Sequence, residues 1–172
     1  PGLTLLDEAA ETLRGVDGIL LPHGLISDLP FTDLYDDEWV CIVSADNPAV
    51  GDELDLTTLS SLPWVSLYDL PTAFAPAARQ LAMLGVEPRV EVAIDSFLPI
   101  PFLVTGTRRV AVLQRRLAER LQPAAEIRIL PCPWDVVPLK EAFWWHPVHS
   151  ADPAHQWLRS ELRVVASEVR AS

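Results

Sequence analysis

The spacing of apolar residues switches several times along the chain between a period of two and steps of three and four, and each switch marks an element. In PGLTLLDEAAETLRGVDGILLP the pattern predicts a short strand, a helix with Asp7 as N-cap and Gly15 as terminator, and a buried strand over Asp17–Leu21. FTDLYDDEWVCIVSADNP predicts two strands, the second centred on Val40–Val43 and closed by the turn residues Asp46, Asn47 and Pro48. Thr57–Leu62 is spaced for one or two helical turns, and WVSLYD for a strand that runs into a loop. Pro71 opens a helix with Phe74, Ala77, Ala78, Leu81 and Leu84 on one face before Gly85. The order then continues with a strand in VEPRVEVAI, a helix capped by Ser96 that runs through Val104 to Gly106, a strand in RRVAVL, a helix in RRLAERL and a strand in EIRIL.

Strands alternating with helices at this pitch imply an α/β fold with mainly parallel sheets rather than a bundle or a sandwich. Two groups of strands, one before Trp64 and one after Pro71, predict two lobes with the chain crossing near Ser66–Asp69. On this reading lobe I takes residues 1–66 and about 136–172, and lobe II about 67–135. Ligands of open α/β sheets bind at the carboxyl ends of strands, so the cleft between the lobes is the expected site.

The stretch FWWHPVHSADPAHQWLR, residues 143–159, concentrates three histidines and an aspartate. AFWWH reads as a strand ended by Pro147, and Asp152 followed by Pro153 as a helix start. In the helix that follows, Ala154, Trp157, Leu158, Leu162, Val165 and Val169 form an apolar stripe, leaving Arg159, Glu161, Arg163 and Glu168 to face water. Zinc would call for two histidines at i and i+4 on one helix, or for paired CxxC elements, and neither pattern is present. No GxSxG elbow supplies a nucleophile. The histidines are therefore expected to be surface or packing residues, with no metal and no cofactor.

Composition narrows the classes further. Thirteen basic against twenty-four acidic residues give a net charge of −11, the wrong sign for a surface that grips nucleic acid. An apolar content of 49% suffices for a real core, and no run reaches the roughly eighteen apolar residues that span a bilayer, so a soluble protein is expected. Cys41 and Cys132 lie far apart in sequence and read as buried thiols, which makes a reducing cytosol the expected compartment. The chain begins with proline and has a single methionine, Met83, so it reads as a piece of something longer.

Two long stretches, DSFLPIPFLVTGTRRVAVLQRRLAERL and EIRILPCPWDVVPLKEAFWWHPVHSADPAHQWLR, resemble the effector-binding domain of LysR-type transcriptional regulators, in particular the nodulation and aromatic-degradation branch. AAETLRGVDGILLP is similar to that family's helix-glycine-aspartate-strand segment, and LYDDEWVCIVSADNP to its strand leading to an Asn/His-Pro turn. The resemblance implies a two-lobed α/β fold like the type 2 periplasmic binding proteins, with the first strand and helix of lobe I lying before this sequence. It implies a small effector bound between the lobes, a homodimer or homotetramer whose geometry the effector changes, and contact with DNA only through an N-terminal helix-turn-helix absent here. The oligomer would use the helix from Ala73 and the segment near Val40.

By the family pattern the cleft is lined by Pro22 and His23, by Trp64, Ser66 and Tyr68, and by Ser96 and Phe97, with Trp144 as a further candidate. Ser96 at a helix start would offer a hydroxyl and free N–H groups to a carboxylate or phenolate, and equally well cap its own helix. His23 reads also as an ordinary loop residue, Trp64 and Phe97 as core, and Tyr68 as packing between lobes. None of these positions supplies a lysine or arginine, which favours an aromatic or largely uncharged effector. A periplasmic solute receptor would share the fold. A small hydrolase is the other class, and Cys41 within a buried strand would make an inert nucleophile for it.

Overall fold

The computed structural model describes residues 9–67 and 76–171. The chain forms two compact units, one from the stretches up to Asp37 and from Leu139 onward, the other from Glu38–Pro138.

The second unit is built on a five-stranded sheet. Its strands are β3 (Trp39–Ser44), β4 (Pro63–Leu67), β5 (Arg89–Ile94), β6 (Val110–Gln114) and β7 (Ile127–Pro131). Its helices are α2 (Leu56–Ser61), α3 (Pro76–Met83), α4 (Ile100–Val104) and α5 (Arg115–Ala125). Every residue of β3 is buried, because the strand lies between β6 and β7 and is covered on both faces. Cys41 and Val43 pack on one side with Leu59, Leu62, Trp64 and Leu81, while Val40 and Ile42 pack on the other with Val65, Ile100, Val104 and Ala118. That is why WVCIV reads as a continuous apolar run and not as an alternation.

Three expectations change here. The sheet is mixed, not mainly parallel: β4 runs parallel to β5 and β6, but β3 inserts between β6 and β7 and pairs antiparallel with both. Because β3 belongs to this sheet, the chain enters the second unit after Asp37, not near Ser66–Asp69, and lobe I is correspondingly shorter than residues 1–66. Val40, fully buried at the centre of the sheet, has no surface to give to an oligomer contact.

The first unit holds α1 (Ala9–Thr12), a three-stranded antiparallel sheet of β1 (Ile19–Pro22), β8 (Leu139–Trp144) and β2 (Phe31–Asp37), and the C-terminal helix α6 (Pro153–Ala171). β8 is central, and its alternation divides the core. Ala142 and Trp144 pack with Leu13 and Ile26, while Phe143 and Trp145 pack with Leu34 and with Leu158, Leu162 and Ala166 of α6. The strand expected before Asp7, the Asp7 cap and Phe74 lie outside the described residues.

Helix α6 starts as expected, with the Asp152 carboxylate accepting from the backbone N–H of Ala154 at 2.8 Å and of His155 at 3.3 Å. Its buried face is rotated from the expected stripe. Trp157 and Val165 are exposed at 65% and 55%, whereas Arg159, expected in water, is 8% exposed. One of its guanidinium nitrogens donates to Nδ1 of His155 at 2.6 Å, another donates to the Ser150 carbonyl at 3.1 Å, and the group lies 4.6 Å from the centre of the Trp145 ring. Arginine only donates, so His155 accepts at Nδ1 and carries its proton on Nε2, which donates to the Asp17 carbonyl at 2.6 Å. His149 stacks on His155 with ring centres 5.4 Å apart, and Nδ1 of His146 accepts from the backbone of Val148 at 3.1 Å. The histidines of residues 143–159 thus tie the start of α6 to β8 and to the turn before β1.

Gly18, in that turn, faces β8 without room to spare. A Cβ there would lie 2.6 Å from the Trp144 carbonyl oxygen and would overlap the Phe143 ring. Gly18→Ala is expected to destabilise the protein by about 1–3 kcal/mol, as overpacking does; urea unfolding with an unchanged midpoint would contradict this packing.

Candidate functional site

At one corner of the first unit, β8 lies between β1 and β2 in a register that places Trp144 opposite both Ile19 and Phe31. Trp144 is 3% exposed and donates its indole N–H to the Leu21 carbonyl at 2.9 Å, so it forms a fixed floor. Phe31 packs on it at 4.8 Å between ring centres and remains 47% exposed. Pro22 ends β1, and the next residue, His23, continues the pairing by donating its backbone N–H to the Lys140 carbonyl at 2.9 Å. The imidazole of His23 stands edge-on to Phe31 at 4.8 Å and to Trp144 at 5.2 Å. Its Nε2 lies 2.6 Å from Oδ1 of Asp33, a carboxylate that accepts, and its Nδ1 has no hydrogen-bond partner among the described residues. Two aromatic rings and one oriented imidazole–carboxylate pair make a surface suited to a flat ligand with a polar edge.

Close by on β8, Glu141 faces an acidic neighbourhood. Burial, with the Asp37 carboxylate adding to it, raises the pKa of Glu141 above the usual carboxylate range. A carboxyl whose pKa is raised on folding takes up protons as it folds, so its penalty appears as pH rises from the unfolded value, ~4.3, through the folded one. Glu141→Gln is expected to raise the thermal midpoint at pH 7 and to have little effect at pH 4, as followed by circular dichroism; equal shifts at both pH values would contradict this burial.

In the second unit, Ser66 and Phe97 are half-buried. Ser66 donates its hydroxyl to the Leu67 carbonyl at 3.3 Å, and Phe97 packs 6.2 Å from Trp39 between ring centres. Trp64 is 4% exposed, packs in the core and donates its indole N–H to the Leu59 carbonyl at 3.4 Å. Ser96 does not cap a helix: α4 begins at Ile100 with Pro99 as N-cap, because the bend at Phe97–Pro99 intervenes. Tyr68 lies outside the described residues.

Four residues absent from the sequence reading join these candidates. Phe31 and Asp33 complete the corner around His23, and a sequence signal for them existed in the strand that opens directly after Pro30. Trp39 and Gln114 are register partners across β3 and β6, and the Trp39 indole nitrogen and the Gln114 side-chain oxygen are buried with no hydrogen-bond partner among the described residues. Nothing in their local sequence distinguishes them from core.

A family model for the LysR substrate binding domain matches residues 12–167. The chain belongs to that family. It is 30% identical over 169 residues to nodulation protein D 2 of Rhizobium tropici, covering 96% of this chain and 54% of the relative. The chain thus spans about half the length of the curated relatives it matches. In fold it resembles a probable transcriptional regulator of Pseudomonas aeruginosa, with a TM-score of 0.79, 24% identity, and coverage of 91% of this chain and 52% of that one. It also resembles the CcmR regulatory domain of Synechocystis PCC6803 in complex with 2-PG, with a TM-score of 0.76, 15% identity, and coverage of 94% and 79%. The fold class is accordingly the α/β, two-lobed, periplasmic-binding-protein-like one that the resemblance implied.

Sequence distance concealed one pairing in this LysR substrate-binding domain. Cys41 and Cys132 are brought together across β3 and the end of β7, with their sulfurs 3.8 Å apart. The hydrogen bond to Cys132 and burial push the Cys41 thiol well above its ordinary pKa, which leaves it protonated and unreactive. Cys132 is half-buried. At pH 8, a thiol reagent is expected to modify Cys132 first and Cys41 only after denaturation, as read by mass spectrometry; equal labelling rates in the native state would show that β3 is not closed as described.

Proposed function

We propose that this LysR substrate-binding domain senses a small aromatic or largely uncharged effector, and that the corner formed by Pro22, His23, Phe31, Asp33 and Trp144 contacts it. The observation that carries this reading is the His23–Asp33 pair set on the two aromatic rings, a polar handle of fixed direction on an apolar platform. In the second unit taken by itself, the half-buried Ser66 and Phe97 stand as candidate ligand contacts. The domain acts by binding, with no bond made or broken. It belongs to a cytoplasmic, homo-oligomeric transcriptional regulator, a dimer or tetramer, in which DNA contact falls to a helix-turn-helix module beyond this sequence. An effector shifts the regulator between states only by the difference in its affinity for them.

Thermal unfolding against aromatic acids, phenols, flavonoids and dicarboxylates tests the reading. A ligand at about a hundred times its Kd is expected to stabilise the fold by roughly 2.7 kcal/mol. That shift is expected with an aromatic class and is expected to fall away in His23→Ala and Phe31→Ala. A shift of equal size in both variants would place the effector elsewhere.

A further inference from the structure

The second unit carries a basic cavity at the ends of its strands away from Ser66. β4 starts at Pro63 and β5 at Arg89, and Thr107–Arg109 lead into β6, so the N-terminal ends of three mutually parallel strands meet around one hollow of about 340 Å³. Ser66 lies at the other end of β4, roughly 10 Å along a strand at ~3.3 Å per residue. The hollow is lined by Arg89, Arg108 and Arg109, with Glu91, Ser61 and Thr107. Three guanidinium groups against one carboxylate leave a local charge of +2 on a chain whose total is −11.

The three arginines are held differently. Arg109 is fixed: its Nε donates to Glu91 at 3.2 Å, a terminal nitrogen donates to the Leu103 carbonyl at 3.2 Å, and the side chain is 28% exposed. Arg89 reaches the other oxygen of Glu91 at 3.7 Å. Arg108 is exposed and has no hydrogen bond or ion pair with another described residue. Glu91 is thus shared by two cations, and the hydroxyls of Ser61 and Thr107 already donate to the carbonyls of Thr58 and Val104. The donors left over belong to guanidinium groups, whose planar fork matches the oxygens of a phosphate or carboxylate.

We propose that this hollow is a second ligand site, distinct from the corner at His23, that takes a small dianion of the phosphomonoester or dicarboxylate class. The volume is that of a small-molecule site, and a charge of +2 balances one dianion. The net charge of −11 disfavours an extended polyanion such as nucleic acid at the same place. Arg108 supplies the free fork, and Arg109, fixed by Glu91 and Leu103, supplies the preset one.

Isothermal titration of the chain with inorganic phosphate and with succinate, at constant ionic strength set by sodium chloride, tests the proposal. Saturable binding of at least one of the two is expected, and which one binds separates the phosphate class from the dicarboxylate class. Arg108→Ala is expected to weaken it by about tenfold or more, the loss of one charge-assisted contact. Arg108→Lys is expected to recover part of that loss, and His23→Ala to leave binding unchanged. Arg108 is exposed and makes no hydrogen bond or ion pair with another described residue, so the Arg108→Ala variant should keep the thermal midpoint of the parent. Binding of neither anion, or binding that survives Arg108→Ala undiminished, would overturn the site. Binding lost in His23→Ala alone would assign the anion to the effector corner instead.

Discussion

The pairing of β8 with β1 and β2 is the interaction on which the first unit rests. β8 comes from the far side of a long excursion of the chain, yet each of its residues from Leu139 to Trp144 is bonded to strands before Asp37. Closing a loop of this size costs only slowly more as it lengthens, but it must be closed before the contacts reward it. The reward is concentrated in a few large side chains. Phe143 and Trp144 at the end of β8 and Trp145 just after it alternate and seed both apolar clusters of the unit, so the aromatic corner at His23 exists only once the distant strand has arrived.

A buried cation then fixes the end of the chain to that sheet. Arg159 sits in an apolar setting with no carboxylate on it among the described residues, satisfied instead by an imidazole, a carbonyl and the face of Trp145. A desolvated cation over indole gains about 2 kcal/mol, and each hydrogen bond to a charged group gains about as much. The arrangement is specific because every partner is directional. His155 has to hold one tautomer, since its two ring nitrogens serve an arginine donor on one side and a carbonyl acceptor on the other.

Much of the fold was legible in the sequence because it was written in patterns with one physical meaning. The apolar run Trp39–Val43 can be satisfied only by a strand covered on both faces, and Asp152-Pro153 only by a helix start. The parts that were not legible depend on partners remote in sequence. Arg159 reads as a surface residue until Trp145 and His155 are beneath it, and Cys41 and Cys132 read as unrelated until β3 and β7 are paired. Ser96 failed for a local reason, the bend that delays α4 to Ile100. Of the site, His23 and Trp144 followed from the family resemblance, whereas Phe31 and Asp33 required the register of β2 on β8 to bring them beside His23.

The register also gives the second unit a particular status. Asp37, the last residue of β2, is the direct partner of Leu139, the first of β8. Antiparallel partners lie about 5 Å apart at their Cα atoms, the spacing that an ordinary two-residue turn bridges. Topologically, β2 and β8 are therefore the two arms of a β-hairpin whose loop is the whole of Glu38–Pro138. Seen as engineering, the second unit is a cassette spliced into a turn: its two ends leave from adjacent points, and the hairpin it interrupts could be closed by an Asn-Gly dipeptide without moving either strand.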